Sequence, residues 1–248
     1  MTTSKEKQKH FNTYFYEKLY FDRGYKLLMR DSIITDEFTT IYLCSYDNRG
    51  GELRIDPSFS FINNDLRNIA INAGVDHFAF ETVGHGRQGT RMASDIGIYD
   101  PKNIYVQKFS LDPQPPAVNH QNYIETLGAS TTYKIIQEGD IPEAFLHHKY
   151  FMEVIGFKYI EMMKTPEGID KIYNDYFVQK DEAYIKSEKG KWWLSGFYDP
   201  PLRVIYSLIS AKLISDERYR AVLERHKMME YEWDLITENM NKIIKYFG

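Results

Sequence analysis

The sequence has a single cysteine, Cys44, so no disulfide can close within the chain, and neither a dithiol redox site nor a CxxC metal ligand set is available. Long apolar runs are missing too. Nothing approaches the roughly 20 residues needed to span a bilayer, and residues 1–12 (MTTSKEKQKHFN) are polar where a secretory leader would be apolar. Net charge is small: −4 over 248 residues, with a pI near 6.0, gives no general attraction to nucleic acid or to an anionic membrane. The G-x-S-x-G, H-E-x-x-H, Walker and EF-hand patterns do not occur. These absences set the expectation of a cytoplasmic chain with no cofactor and no metal.

What the chain does have is 43% hydrophobic and 15% aromatic residues, enough to pack one large domain or two small ones. Its charge is uneven. Residues 1–30 hold seven Lys/Arg against three Asp/Glu, and residues 216–248 hold six against seven, which leaves −7 for the stretch between. A basic partner surface would belong to the N-terminal helix, and an acidic one to the middle.

Periodicity predicts the elements. Phe11, Tyr14, Phe15, Leu19 and Tyr20 form one helical stripe that Gly24 ends. Then come segments rich in β-branched and aromatic residues, 25–34, 37–46, 51–62, 77–83 and 103–111, separated by turn chemistry such as Thr35-Asp36. A short helix over 64–74 falls among them, with Asn64 as its N-cap and Gly74 as its stop. Four Asp-Pro pairs, at Asp56, Asp100, Asp112 and Asp199, punctuate the chain, and residues 112–122 (DPQPPAVNHQN) read as a linker. Beyond them the signal is helical. Asp140 with Glu143 fits a capping box ahead of Phe145, His148, Met152, Ile155, Tyr159 and Met162, and Thr165-Pro166 opens a helix that turns Ile169, Ile172, Tyr173 and Tyr176 inward. Two further helices open at Asp199-Pro200-Pro201 and at Ser215-Asp216-Glu217. In the last, Tyr219, Val222, His226, Met229, Trp233, Ile236, Met240, Ile243 and Phe247 keep the 3.6 period for about eight turns. The expected fold is α+β: an N-terminal antiparallel sheet of about four or five strands with flanking helices, then a mainly α-helical C-terminal half. The expected division is a sheet domain over 1–118 and a helical domain, or a helical half packed on the sheet, over 119–248, with one fused domain as the alternative.

The stretch Phe78–Asp100 contains G-x-G-x-x-G at Gly84, Gly86 and Gly89. A dinucleotide loop needs a long helix directly after the glycines, so that its N-terminus faces the pyrophosphate. Here Gly97 cuts the helical material after TRMASD, and no βαβ alternation surrounds it. A simpler anion site remains. Close backbone approach at Gly84, Gly86 and Gly89, with Arg87 and Arg91 as clamps and His85 as acid or base, would suit a phosphate or carboxylate; a solvated loop is the plainer reading. Support could come from Glu52, Asp56, His77 and Glu81, which period two places on strand faces, although alternating charge is also what a wet sheet face looks like.

The remaining candidates read as structure. His147 and His148 point about 100° apart on a helix and cannot share an ion, while His148 and His226 fall on apolar stripes as hydrogen-bonded core residues. Cys44 alternates with Tyr42 and Tyr46 as packing. Twenty tyrosines and the pair Trp192-Trp193 suggest recognition, because two adjacent tryptophans on a strand cannot both point inward. Two functions remain. One is a non-catalytic interaction protein of inhibitor or immunity type, binding a macromolecular partner, with Trp192 and Trp193 at its interface. The other is a phosphate- or nucleotide-binding protein, possessing or lacking hydrolase activity, built on the Gly84–Arg91 segment.

Overall fold

The computed structural model describes residues 4–28, 33–47, 52–75, 84–87, 133–135, 139, 141–175, 178–179, 181–186, 200–229, 231 and 234–248. The strands expected at 77–83 and 103–111, and the linker at 112–122, lie outside the described residues. In chain order, helix α1 (Ser4–Phe15) continues as a π-helical turn (Tyr16–Tyr20) and a 3-10 turn (Phe21–Arg23). Strands β1 (Lys26–Leu28), β2 (Ile33–Thr35), β3 (Thr39–Asp47) and β4 (Glu52–Phe61) precede helix α2 (Asn64–Asn72) and strands β5 (Gly84–Arg87) and β6 (Tyr133–Ile135). Helix α3 (Ile141–Phe151) runs through a π-helical turn (Met152–Gly156) into α4 (Phe157–Met163), and α5 (Pro166–Asp170) runs into another (Lys171–Asp175). The remainder is α6 (Glu182–Ile185), α7 (Pro200–Ile214), α8 (Asp216–Lys227) and α9 (Asp234–Phe247). The class is α+β, an antiparallel sheet near the N-terminus with a mostly helical remainder. Two compact units interleave along the chain, Met1–Phe59 with Arg87–Tyr159, and Ser60–Gly86 with Ile160–Gly248.

In the first unit, Phe11, Phe15, Leu19 and Tyr20 are buried. The π turn explains why the stripe survives a five-residue step: the Phe21 N–H donates to the Tyr16 carbonyl five residues back, so one extra residue is taken up and Tyr20 returns to the face of Phe15. Gly24 then adopts φ 82°, a left-handed conformation open to glycine without strain, and ends the helical run. The expected single strand over 25–34 is corrected to two. Leu28 is paired with Ile33, so the chain doubles back, and β1, β2 and β3 form an antiparallel meander. Asp36 makes the β2–β3 corner by accepting from the N–H groups of Phe38 and Thr39 at 2.9 and 2.6 Å. Strand β6, absent from the sequence reading, pairs antiparallel with β4 through Leu53–Ile135, Arg54–Lys134 and Ile55–Tyr133. Helix α3 packs against β6 and presents Phe145 edge-on to Phe15, ring centroids 5.2 Å apart at 85°, the arrangement the ring quadrupoles favour.

In the second unit, Asn63 and not Asn64 caps α2, its side-chain oxygen accepting from the Leu66 N–H at 3.2 Å. The reason is geometric: Asn63 has the extended backbone a cap needs, whereas Asn64 is already helical. Thr165 caps α5 by accepting from the Gly168 N–H at 3.1 Å, with Pro166 in the first helical turn. Helix α7 is the centre. Residues 203–211 are all buried, and α2, α5, α8 and α9 pack around the helix, in keeping with a stretch that is apolar apart from Arg203, Ser207, Ser210 and the Tyr206 hydroxyl. The expected eight-turn final helix is corrected to α8 and α9. Met228 and Met229 donate three residues back, to Arg225 and His226, which tightens the last turn and ends the α-ladder. The stripe nevertheless stays inward on both pieces, with Tyr219, Val222, His226, Ile236, Met240 and Ile243 buried. Among the described residues, no helix is long and apolar enough to cross a membrane.

Candidate functional site

The anion site expected at Gly84–Arg91 is described only in part. Gly84, His85, Gly86 and Arg87 form β5, a short strand and not a loop, while Gly89 and Arg91 lie outside the described residues. Glu52 and Asp56 lie on β4 at positions of equal parity. His77 and Glu81, which were to join them, lie outside the described residues, as do Trp192 and Trp193. Among the described residues, no three His, Cys, Asp or Glu side chains gather as a metal site.

Among the described residues, the densest polar constellation lies elsewhere. In the second unit, Arg218 on α8 donates through Nε to Asp170 Oδ2 at 3.0 Å and through Nη2 to Asp175. Asp170 Oδ1 also accepts from Asn174 Nδ2 at 2.7 Å, and the same amide nitrogen donates to the Ser207 carbonyl at 2.9 Å. Ser207 Oγ donates to Asn174 Oδ1 and lies 2.8 Å from His226 Nε2, and His226 Nδ1 lies 2.5 Å from the Tyr231 hydroxyl. The chain of contacts thus joins α5, the π turn after it, α7, α8 and the connection that follows α8. The π turn matters here, because it buries Ile172, Tyr173 and Asn174 consecutively and so brings the amide of Asn174 inside.

Donor counting assigns the protons from Asn174 to Tyr231. Both contacts of Asn174 Nδ2 are to acceptors, so the amide orientation is set and Oδ1 must face Ser207. Ser207 has one proton, and it goes to Asn174. His226 Nε2 must therefore carry a hydrogen and donate to Ser207 Oγ, which leaves Nδ1 to accept from Tyr231. Burial, followed by the positive charge of Arg203, pushes the His226 pKa down to about 3, so the ring is neutral. Burial also raises the Tyr231 hydroxyl, which keeps its proton available to donate. Burial raises the Asp170 carboxyl as well, against the opposing pull of Asn174 and Arg218.

A serine oxygen 2.8 Å from a histidine nitrogen has the spacing of a nucleophile and its base. It cannot act as one in this state. The hydroxyl proton points away from the imidazole, and Ser207, Asn174 and His226 have no exposed surface through which a substrate could reach them. The network is a buried, satisfied polar joint. The first unit has a smaller one: Tyr20 on the π turn meets His148 Nε2 on α3 at 2.5 Å, with both side chains buried.

Among the described residues, one exposed cross-strand row lies on the meander. Its inner row, Leu27–Ile34–Ile41, places Ile34 and Ile41 in the core. Its outer row is Leu28–Ile33–Tyr42, where Leu28 is 46% and Tyr42 40% exposed, beside a polar row of Lys26, Thr35 and Thr40. Phe21, just before β1, is 61% exposed, with its ring edge-on to Tyr16 at 5.9 Å. Strand alternation in the sequence held the signal for this row. Reading 25–34 as one strand put Leu28 and Ile33 on opposite faces and hid it. No family model, curated protein or solved structure matches the chain.

Proposed function

We propose that the chain is a non-catalytic interaction protein of the cytoplasm, of inhibitor or immunity type, and that it binds a protein partner through the outer face of its N-terminal sheet, which the sequence reading extends to four or five strands. The observation that carries this reading is the cross-strand row Leu28–Ile33–Tyr42, apolar, with Leu28 and Tyr42 exposed at its two ends. Tyrosine beside aliphatic side chains, rimmed by Lys26 and two threonines, is the composition of a recognition surface. The sealed state of the Ser207–His226 pair supports it from the other side, because this pair, the one among the described residues with the spacing of a nucleophile and its base, has no access.

The test is photo-crosslinking from a reactive analogue placed at Tyr42, in an extract of the cells that make the protein, with and without Leu28→Glu. The expected result is one discrete adduct that Leu28→Glu abolishes while the melting temperature stays unchanged. Failure to obtain any adduct sensitive to Leu28→Glu rejects the reading. A melting temperature that rises with phosphate esters, and no longer does so in an Arg87→Ala, Arg91→Ala double variant, would instead establish the anion-binding function.

A further inference from the structure

We propose that His226 is an acid-operated clasp of the second unit: a neutral imidazole held in one tautomer between α7 and the segment after α8, whose protonation is incompatible with this packing, so that acidification opens the α7–α8 joint. The proposal does not depend on the partner surface proposed above, which lies on the other unit.

The geometry carries it. Nε2 is already a donor to Ser207, whose own proton is committed to Asn174, so a second proton can enter only at Nδ1. There it meets the Tyr231 hydroxyl at 2.5 Å, which at present donates to that same atom. Two hydrogens cannot share the contact. The hydroxyl must swing its proton elsewhere; among the described residues it also reaches the Met229 sulfur at 3.6 Å, a poor acceptor. The charge environment adds to the obstacle. Arg203 on α7 acts on His226 as a like charge, and the Asp170 carboxylate is separated from the ring by Asn174 and Ser207. Asp170, with Asp175, is moreover already engaged by Arg218. A proton at His226 would thus be a buried cation beside a second buried cation.

The sign follows from linkage. The histidine pKa falls from 6.5 to about 3 on folding, so above 6.5 neither state is protonated, whereas between 6.5 and about 3 only the opened state takes the proton. Stability of this unit is therefore complete above pH 6.5 and is lost as the pH falls through that window. Asp170 cannot be the source of the loss. Its folded carboxyl holds a proton more readily than the 3.8 of a free aspartate, so acidification through that range favours the folded state.

Backbone hydrogen exchange read by mass spectrometry on the full chain tests this, between pH 7.5 and 5.0 and corrected for the chemical rate. In the wild type, the opening constant of peptides from α7 and α8 should be flat down to pH 6.5. Below that it should rise about tenfold per pH unit, the slope of one linked proton. His226→Gln, which cannot titrate, should show weaker protection at pH 7.5 and no such slope. Wild-type protection that is unchanged at pH 5.0, or a His226→Gln slope equal to the wild-type slope, overturns the clasp. Should His226→Gln fail to fold, nitrogen NMR of the wild-type ring decides. A single Nε2–H tautomer that does not titrate while the fold persists supports the proposal, and an ordinary titration near pH 6.5 with α7 and α8 still protected overturns it.

Discussion

The Asn63 side-chain amide donates to the Lys164 carbonyl at 3.2 Å, tying residues 101 positions apart in the chain. Asn63→Ala removes both this bond and the α2 cap and should cost about 1–3 kcal/mol in urea unfolding. Asn63→Asp keeps an acceptor for the Leu66 N–H but has no donor for Lys164, so it should lose less. Equal losses in the two variants would show that the cap contributes nothing.

Two glycines of the second unit should respond to alanine for different reasons. A Cβ on Gly168 would overlap the Met162 backbone, which has no flexible end to move aside, so Gly168→Ala should cost about 1–3 kcal/mol by forcing α4 and α5 apart. Gly74 has open space around it but φ of 79°, so Gly74→Ala should cost only about 1 kcal/mol of backbone strain. Calorimetric melting of the two variants gives the order directly. A harmless Gly168→Ala would contradict the close approach.

Tyr20→Phe deletes the hydroxyl that meets His148 and leaves a buried ring nitrogen without it, for which a loss of about 1–3 kcal/mol is expected. In a double-mutant cycle with His148→Phe, the second substitution should cost less in the Tyr20→Phe background than alone, because the stranded nitrogen is then gone. Additive losses would mean that the two side chains are energetically independent.

Ser207→Ala strands Asn174 Oδ1 and the His226 Nε2–H together, and a loss of about 2 kcal/mol or more is expected from two unmet buried groups. The native protein should also leave Ser207 unmodified by a fluorophosphonate, which needs an exposed, activated hydroxyl. Labelling at Ser207 would show that the pair opens and acts as a nucleophile and base.

Elements that announce themselves locally were legible in the sequence. Thr165-Pro166 and Ser215 are caps whose side chains do accept from the N–H three residues on, and the 3.6-residue stripe of α8 and α9 marks its buried face although the helix is interrupted. What could not be read was register over short distances. Residues 25–34 carry strand propensity throughout, so nothing in their composition separated one strand from a hairpin. Asn63 and Asn64 are equally good caps by type, and only backbone angle chooses between them. The polar joint was illegible for a different reason: Asp170, Asn174, Ser207, His226 and Tyr231 form no local motif and meet only once their helices have packed. Its trace was polar residues on apolar stripes, Ser207 and Ser210 within α7 and His226 on α8, which do not name one another.

The interleaving of the two units bears on synthesis. Tyr20 and His148 are 128 residues apart, so at ordinary translation rates of about 5–20 residues per second the N-terminal helix waits roughly 6–25 s for the segment that covers it. During that interval Phe11, Phe15 and Tyr20 have no α3 to pack against. A nascent chain halted before residue 148 should accordingly be a strong client for a ribosome-associated chaperone, and one released after residue 159 a weak one.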